Sequence, residues 1–486
     1  MNYWDDYPEG AFDDPDLFLD QETASLSEIY ENCILPSVRQ IYNYVEVLLF
    51  YSFLFRVLSN VANRVQRLHF TVHLVSIICG NLALLAVFGS SAFFCILYIY
   101  AAYFILFILI NCWGNITRGI LGYLMAVSCM IVLTLYEIFE WNPVVWRQIR
   151  GVQMVATMKV VSLSFDVDAG ILWTTDGNSD AGVKSISKPD ILSYLGYMFC
   201  PANCVLGPWV RYSEYISVAR GSKLLDIKVL LWTVVNFVLV FIFAMASNCL
   251  VPNVIGSNSW KWLVAYRDAL SFRCSHYFIS SLSQLTMATS GFARPEESVH
   301  YSPLVGYQVV KPFSMEMPRS LSQVVTDWNI PIHLWLKQYI FRVIRRKSIT
   351  LAIFLTYFVS SMLHGLNLQL AAVLLSLGVF SLIEHNLRGT IAEYLSACVR
   401  ANPCKPNCDH RLKRFSPICL IVNILFSGFT IVHLAFLGST FNSTTVAGIE
   451  DENSAVFGAW NRWSDLNFAS YWICFGCLLC DILLKV

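Results

Sequence analysis

The first residue of chemical interest is a histidine, His364, inside a long apolar stretch. No charged side chain occurs between Leu351 and Phe380. That length allows two short membrane crossings, since one helical crossing needs roughly 20 apolar residues. An ionisable side chain inside lipid is costly and is usually kept for proton transfer, ligand binding or an ion path. We therefore predict a functional role for His364; the alternative is a histidine that only packs inside a helical bundle.

A second candidate, Asn329, lies 35 residues before His364. Pro331 follows it by two residues, and proline is favoured at a helix start because the N–H that it lacks would be unpaired there. Asn329 could therefore be a helix N-cap. Alternatively, the two residues share one intramembrane cavity, where an imidazole takes a proton from an attacking hydroxyl and a neutral amide donates hydrogen bonds to a developing oxyanion. Both alternatives, the helix cap and the catalytic pair, stay open at this point.

Four neighbouring residues are candidates for lining such a cavity. Trp328 and Tyr339 flank the asparagine in sequence and could form part of the cavity wall, although aromatic residues also anchor proteins at membrane interfaces. Ser360 lies one helical turn before the histidine and hence on the same face. It could line the cavity or bond its own backbone. Leu363 is a further candidate for the wall.

Three cysteines and one histidine are grouped near residue 400. The pattern is Cys398-x5-Cys404-x3-Cys408-x-His410, and four soft ligands within thirteen residues could close a tetrahedral structural zinc site. The spacing is not that of a standard zinc finger. Reversible S-acylation of cysteines near the membrane, or unpaired thiols in a reducing compartment, are the alternatives. No catalytic metal and no permanently bound cofactor are expected.

Composition identifies the elements that must position these residues. The chain of 486 residues is 56% hydrophobic and only 14% charged, whereas soluble domains average about 25% charged residues. Apolar stretches recur along nearly the whole length, among them Ile191–Val210, Ala269–Ser290 and Leu334–Ile344. They predict an all-α, polytopic multi-pass membrane protein with about eleven transmembrane helices. The segment Arg147–Lys188 is more polar and is predicted to lie outside these crossings.

The N-terminal segment differs from the rest. Residues 1–38 contain ten Asp or Glu and no Lys or Arg. Such a segment cannot bury enough apolar surface to fold alone, and it lacks the basic and apolar regions of a cleavable signal peptide. We predict a disordered acidic tail over residues 1–40 and a transmembrane domain over residues 41–486. The net charge of the chain is zero, so nothing indicates nucleic-acid binding.

Basic clusters predict the orientation in the membrane. The clusters Arg342–Lys347 and Arg388–Arg414 are separated by two crossings and lie on one side, which is cytosolic because positively charged loops stay inside. The loop Ser439–Asp465 is then lumenal, and it carries the glycosylation sequon that begins at Asn442. This topology places His364 on the lumenal half of its helix.

Arg319 is the candidate for anion binding. It precedes the Asn329 segment near the expected membrane entry, where it could hold a carboxylate or a phosphate, or pair with Glu316. The basic loops could also attract phosphate groups, although the positive-inside rule already explains their charge.

The order of several segments resembles the membrane-bound O-acyltransferase family, and within it the branch that lipidates Wnt proteins. The segments that carry the resemblance are Arg150–Lys159, Ser162–Asp166, Gly207–Trp209, Pro318–Asn329, Leu363–Gly365 and His433–Gly438. Each segment alone is weak, and their order makes the resemblance specific. It implies a bundle that encloses an intramembrane catalytic tunnel, with Asn329 and His364 at the matching catalytic positions.

The resemblance also implies the reaction. It would be an enzyme of the endoplasmic reticulum membrane that transfers a palmitoleoyl group from palmitoleoyl-CoA to a serine of Wnt proteins. Its partners would be Wnt proteins, acyl-CoA and membrane lipids. Two alternatives remain at this point: a family member with a lipid or another peptide as acceptor, and a proton-coupled membrane transporter in which His364 relays protons.

Overall fold

Helices make up every regular element of the described chain. The computed structural model describes residues 26–64, 69–112, 120–139, 143–169, 189–219, 227–256, 258–292, 307–365, 367–405, 407–441 and 452–485. Within these ranges there is no β-strand, only an isolated bridge between Ala397 and Leu412. The all-α prediction is confirmed. The acidic residues before 26 and the sequon at Asn442 lie outside the described residues.

The main helices are named here in chain order. They are α1 (Leu35–Arg64), α2 (His69–Phe88), α3 (Ala92–Cys112), α4 (Leu121–Ile138), α5 (Pro143–Ala169), α6 (Ile191–Met198), α7 (Tyr212–Ala219), α8 (Ile227–Met245), α9 (Lys261–Thr289), α10 (Leu321–Trp328), α11 (Ile330–Leu336), α12 (Ile349–Leu363), α13 (Leu368–Tyr394), α14 (Pro417–Gly438), α15 (Glu452–Asp465) and α16 (Ala469–Lys485). Short helical turns cover Leu26–Ile29, Val251–Val254, Pro312–Glu316 and Arg342–Arg345, and π-helical segments cover Tyr30–Ile34, Ala246–Leu250 and Lys337–Phe341.

Several helices have the length and composition of membrane crossings. In the described residues six qualify, or seven if the bent pair Gly458–Asp465 and Ala469–Lys485 forms one crossing. A polytopic membrane protein is confirmed, whereas the expected number of eleven crossings is not. One reason is that Ile191–Val210 contains only the eight-residue helix α6 followed by turns. Another is that Leu334–Ile344 is divided between α11 and a π-helical segment.

Helix α5 is long, largely buried and partly polar. Residues 147–169 were predicted to lie outside the crossings, and α5, a helix of 27 residues that is about 40 Å long at 1.5 Å per residue, is not among the helices that are apolar enough to qualify as crossings. Its Lys159 is fully buried and donates to the Tyr197 and Met198 carbonyls and to Asn203 Oδ1, at 3.0, 3.2 and 2.7 Å. Because protein rather than lipid surrounds α5, its polar groups find partners, and apolar composition is not required. Residues 170–188 lie outside the described residues.

The acidic N-terminal segment is partly helical. A continuous helical stretch starts at Leu26 and runs into α1, so residues 26–40 do not belong to a disordered tail. Cys33 in this stretch forms a disulfide with Cys249 after α8. The boundary predicted at residue 40 therefore falls inside a helix that is tied covalently to the bundle.

The elements that hold the site come from the second half of the chain. Helix α9 packs against α8, α1 and α14, α12 packs against α13, and α10 packs against α13. The amide of Leu321, at the start of α10, donates to Glu384 Oε2 on α13 at 2.7 Å. Helix α10 is thereby anchored at its N-terminus, and the break that follows it carries Asn329.

Candidate active site

Asn329 lies at the break between α10 and α11. Its Oδ1 accepts a hydrogen bond from the Ile332 amide at 3.2 Å, and Pro331 stands in the first turn of α11. The N-cap alternative is thus confirmed. Because Oδ1 accepts this capping hydrogen bond, the orientation of the side-chain amide is fixed and Nδ2 is the end that can donate. Within the described residues Nδ2 makes no hydrogen bond, so a capping asparagine still has a donor to offer.

His364 lies at the end of its helix rather than inside it. It is the C-cap of α12, and its amide donates to the Ser361 carbonyl at 3.0 Å. Gly365 follows with φ +92, a conformation that glycine adopts without the steric cost of a Cβ. The expectation of a histidine in the helix interior is corrected: the chain turns immediately after the imidazole.

A buried ion pair packs beneath this turn. Arg150 Nη1 lies 3.7 Å from Glu137 Oε1, and both side chains are mostly buried. A Cβ at Gly365 would lie 1.8 Å from Arg150 Nη2 and 2.6 Å from Glu137 Oε1. The turn therefore needs glycine for two reasons, its backbone conformation and the space taken by the ion pair. Both requirements act on the residue that directly follows His364.

A second histidine, His276 of α9, holds the segment before Asn329. Its Nε2 lies 2.8 Å from the Trp328 carbonyl oxygen, and its ring stacks on Trp328 with centroids 4.1 Å apart and planes 5° apart. A carbonyl only accepts, so Nε2 carries the proton. Sequence analysis missed His276, although it lies inside the apolar stretch Ala269–Ser290, the same signal that singled out His364.

One cavity of about 840 Å³ joins these residues. His364, Asn329, His276, Trp328 and Ser360 all line it. Ligand cavities commonly measure 300–1,000 Å³ and combine apolar walls with a few polar groups. The structure thus brings together both predicted catalytic residues and two of the four predicted wall residues.

The apolar part of the cavity follows one face of α12. The residues of α12 that line it are spaced at helical intervals; they are Ile353, Thr356, Tyr357 and Ser360, followed by His364. The opposite wall comes from α13 at similar intervals, with Leu370, Val373, Leu374 and Leu377. Eleven residues of helix cover about 16 Å. A long apolar slot therefore extends from the imidazole along α12 toward the basic N-terminal end of that helix.

Three predicted site residues lie elsewhere. Tyr339 is buried, donates to Asp166 Oδ1 at 3.0 Å, and does not line the cavity. Leu363 is buried in the apolar core and does not line the cavity either. Arg319 Nη2 donates to the carbonyls of Cys398 and Arg400 at 3.1 and 3.2 Å. Arg319 does not pair with Glu316, the alternative predicted from sequence, because the Glu316 carboxylate accepts from Arg273 Nε at 2.9 Å and Nη2 at 2.8 Å.

The cysteine group forms a cluster apart from this cavity. Potential ligand atoms of Cys398, Cys404, Cys408 and His410 all lie within 4.8 Å of one another. None of the four lines the cavity. A role in the chemistry at His364 is therefore not indicated for this group.

Comparison with known proteins identifies the family. A sequence profile of the membrane-bound O-acyltransferase family matches residues 176–411, a segment that includes Asn329, His364 and the cysteine group. The chain is similar to "Protein-serine O-palmitoleoyltransferase porcupine" of Anopheles gambiae, with 35% identity over 97% of both chains. The human protein of the same description is 31% identical over 93% of this chain and 96% of its own.

A more distant relative is also described as an acyltransferase. "Lysophospholipid acyltransferase 1" of Arabidopsis thaliana is 23% identical over 51% of this chain and 58% of its own. These similarities support the acyltransferase prediction and not the transporter alternative.

Proposed function

Because this chain belongs to the membrane-bound O-acyltransferase family and is an acyltransferase, we propose that it transfers a palmitoleoyl group from palmitoleoyl-CoA to a serine of Wnt proteins. The relatives that match nearly the whole chain are described as protein-serine O-palmitoleoyltransferases, and the resemblance to Wnt-lipidating enzymes points to Wnt proteins as the acceptor. The endoplasmic reticulum membrane is the proposed location, since the acceptor would enter from the lumenal side.

One observation carries the proposal: a base and a neutral hydrogen-bond donor line the same cavity as a long apolar slot. His364 is the base, and the Nδ2 of Asn329 is the donor. The slot along α12 offers apolar burial for an acyl chain, worth about 0.8 kcal/mol per methylene. Among the described residues no Asp or Glu lines the cavity, and its imidazoles are those of His276, His333 and His364. His276 Nε2 is engaged by the Trp328 carbonyl, and the family resemblance matches His364, so we assign the base to His364.

The reaction follows from these roles. The serine hydroxyl gives its proton to the His364 imidazole while its oxygen attacks the carbonyl carbon of the thioester. The carbonyl oxygen becomes an oxyanion that Asn329 Nδ2 stabilises without adding a charge to a low-dielectric site. The carbon–sulfur bond then breaks, the imidazolium returns its proton to the leaving CoA thiolate, and the serine ester remains.

His276 is a positioning residue in this scheme. Its hydrogen bond to the Trp328 carbonyl and its stacking on the indole fix the residue directly before Asn329. The amide donor is thereby held from both sides, by the cap on Ile332 and by the preceding carbonyl. Catalytic hydrogen bonds need such fixed supports because small displacements are costly in rate.

The slot also relates the site to the two membrane faces. Lys337 and Phe341 line the cavity shortly before the basic cluster Arg342–Lys347. This end is cytosolic by the positive-inside rule, and cationic side chains there can bind the phosphates of CoA. The imidazole at the opposite end of α12 would then face a peptide that approaches from the lumen.

The proposal is tested with the purified full-length protein, labelled palmitoleoyl-CoA and a Wnt-derived peptide that contains the acceptor serine. We expect label on the peptide and none on a peptide with alanine in place of that serine. His364→Ala should lower the rate by about 10²–10⁴, whereas His385→Ala, an exposed histidine of α13, should retain it. Near-normal turnover of the His364 variant would refute the assignment of the base.

The same assay separates the acceptor classes. The similarity to lysophospholipid acyltransferases makes a lysophospholipid the informative competitor. Label that appears on the lipid and not on the peptide would retain the acyltransferase chemistry but refute the protein acceptor.

A further inference from the structure

The segment between α13 and α14 holds three thiols and one imidazole in contact. Cys398 Sγ lies 3.3 Å from Cys408 Sγ and 3.7 Å from His410 Nδ1, and Cys404 Sγ lies 3.6 Å from the same nitrogen. A disulfide would need sulfurs about 2.05 Å apart, so no bond joins this pair of cysteines. The four potential ligand atoms form a compact set, all within 4.8 Å of one another.

These separations match the edges of a zinc tetrahedron. With Zn–S about 2.3 Å and Zn–N about 2.05 Å, tetrahedral angles place two sulfurs about 3.8 Å apart and a sulfur and a nitrogen about 3.6 Å apart. The two sulfur–nitrogen distances of 3.7 and 3.6 Å agree with the tetrahedral edge, the Cys398–Cys408 sulfur–sulfur distance of 3.3 Å is about 0.5 Å shorter than its edge, and all ligand atoms lie within 4.8 Å of one another. Three cysteines and one histidine are also a donor set typical of structural zinc.

The surrounding segment has the features of a loop that a metal would stabilise. Between α13 and α14 the described residues have no helix or strand, only a bridge that pairs Ala397 with Leu412. Loops of this length rarely fold without a staple. Three thiolates and a neutral imidazole around Zn²⁺ leave one net negative charge, and Lys405, Arg411 and Lys413 lie in the same segment. Lys413 donates to the backbone carbonyl of Cys408.

We propose that Cys398, Cys404, Cys408 and His410 bind one structural zinc ion, and that this ion holds the anchor of helix α10. The site stands on its own geometry and does not depend on the proposed acceptor. A closed set of four protein ligands leaves no position for substrate, so the ion would act on the fold and not in the chemistry.

The anchor consists of backbone carbonyls beside the first ligand. Arg319 Nη2 donates to the carbonyls of Cys398 and Arg400, and Ser320 Oγ donates to the Ala401 carbonyl at 3.2 Å. The fully buried Arg388 of α13 donates through Nη2 to the same Arg400 carbonyl at 3.3 Å and through Nη1 to the Arg319 carbonyl at 3.1 Å. Residues 398–401 thus hold the N-terminus of α10.

Helix α10 transmits this anchor to the active site. It is eight residues long, about 12 Å, and its last residue, Trp328, directly precedes Asn329. Loss of the ion would release residues 398–401, loosen the start of α10 and disturb the position of the amide donor. Arg319 therefore has a structural role in this scheme, in contrast to the anion binding predicted from its sequence position.

The test is the zinc content of the purified full-length protein, measured by mass spectrometry after dialysis against metal-free buffer. We expect about one zinc per chain, as for other closed four-ligand sites. Cys404→Ser, Cys408→Ser and His410→Ala should bring the content near zero. His410→Cys should keep the zinc content near one per chain, because the new cysteine supplies a fourth thiolate ligand. The matched control is Cys480→Ser, an exposed cysteine outside the cluster, which should keep the zinc.

Wild-type protein alone also decides the question if the ligand variants fail to fold. A mercurial reagent should release zinc in step with modification of three thiols, and exchange with Co²⁺ should give the thiolate-to-cobalt charge-transfer absorption. Wild-type protein without zinc, or with a hydroxylamine-sensitive fatty acyl group on any of the three cysteines, would overturn the proposal. Neither result would bear on the acyl-transfer assay, so the two proposals fail separately.

Discussion

Asn329 should show two separable roles when it is replaced. Its Oδ1 caps α11 through the Ile332 amide, while its Nδ2 makes no hydrogen bond within the described residues. Loss of an N-cap costs about 1 kcal/mol of stability, and loss of an oxyanion donor costs about 10²–10³ in turnover, or about 2.7–4 kcal/mol. Asn329→Ala removes both groups. Asn329→Ser and Asn329→Asp keep a capping oxygen and remove the amide donor.

The expected pattern is a loss of turnover in all three variants and a loss of stability in only one. Turnover is measured as single-turnover acylation of the peptide, and stability as the midpoint of thermal unfolding in detergent. Ser348→Ala is the matched control, because Ser348 caps α12 at the end far from His364; it should cost stability and leave turnover intact. A fully active Asn329→Ser variant would show that the asparagine is a cap and nothing more.

Further replacements test the turn, the slot and a residue outside them. Gly365→Ala should lower turnover on the order of 10²-fold, because its Cβ would meet the ion pair under the turn; Gly389→Ala, with no atom within 4 Å, should not, and an active Gly365 variant would refute the argument. Thr356→Trp should fill the slot and shift the preference of the enzyme to acyl-CoA substrates with shorter chains, by about fourfold in kcat/KM per methylene. An unchanged profile of acyl-chain length would show that the acyl chain binds elsewhere. Tyr339→Phe should cost about 1–3 kcal/mol of stability, since buried Asp166 loses its hydrogen-bond donor. It should leave the acyl-chain preference unchanged, and an altered preference would show that Tyr339 belongs to the acyl-binding site.

Helical periodicity explains which wall residues were predictable. Ser360 precedes His364 by four residues, and the structure places both along the cavity. Leu363 precedes it by one residue, about 100° around the helix axis, so it could not share that face, and periodicity alone could have excluded it. Tyr339 was chosen for its proximity to Asn329 in sequence. It lies in the π-helical segment Lys337–Phe341. The number of residues per turn differs there from that of an α-helix, and no local sequence signal indicates this change.

The number of crossings was less predictable for a related reason. Apolar composition reports burial in protein as well as contact with lipid, so the apolar stretch Ile191–Val210 was counted as a crossing although it holds only the short helix α6. Helix α5 shows the converse, a long helix that is surrounded by protein and carries buried polar side chains. Lys159 on α5 is satisfied by carbonyls from a segment about 40 residues later. Its partners lie too far along the chain for a composition window to find.

The predicted pair of catalytic residues lies where helices end inside the bundle, and this location links the two. Each helix end leaves backbone groups unpaired, and where water is scarce these groups must find other partners. Asn329 supplies an acceptor to the start of α11, and His276 supplies a donor to the end of α10. The first interaction is local, so the sequence Asn329-Ile-Pro331 indicates it. The second joins residues 52 apart, and only the fold can show it. A side chain that hydrogen-bonds a helix end beside a cavity is fixed in position by that bond, and its remaining polar atom can still face the cavity. A preorganised catalytic group requires such a fixed position.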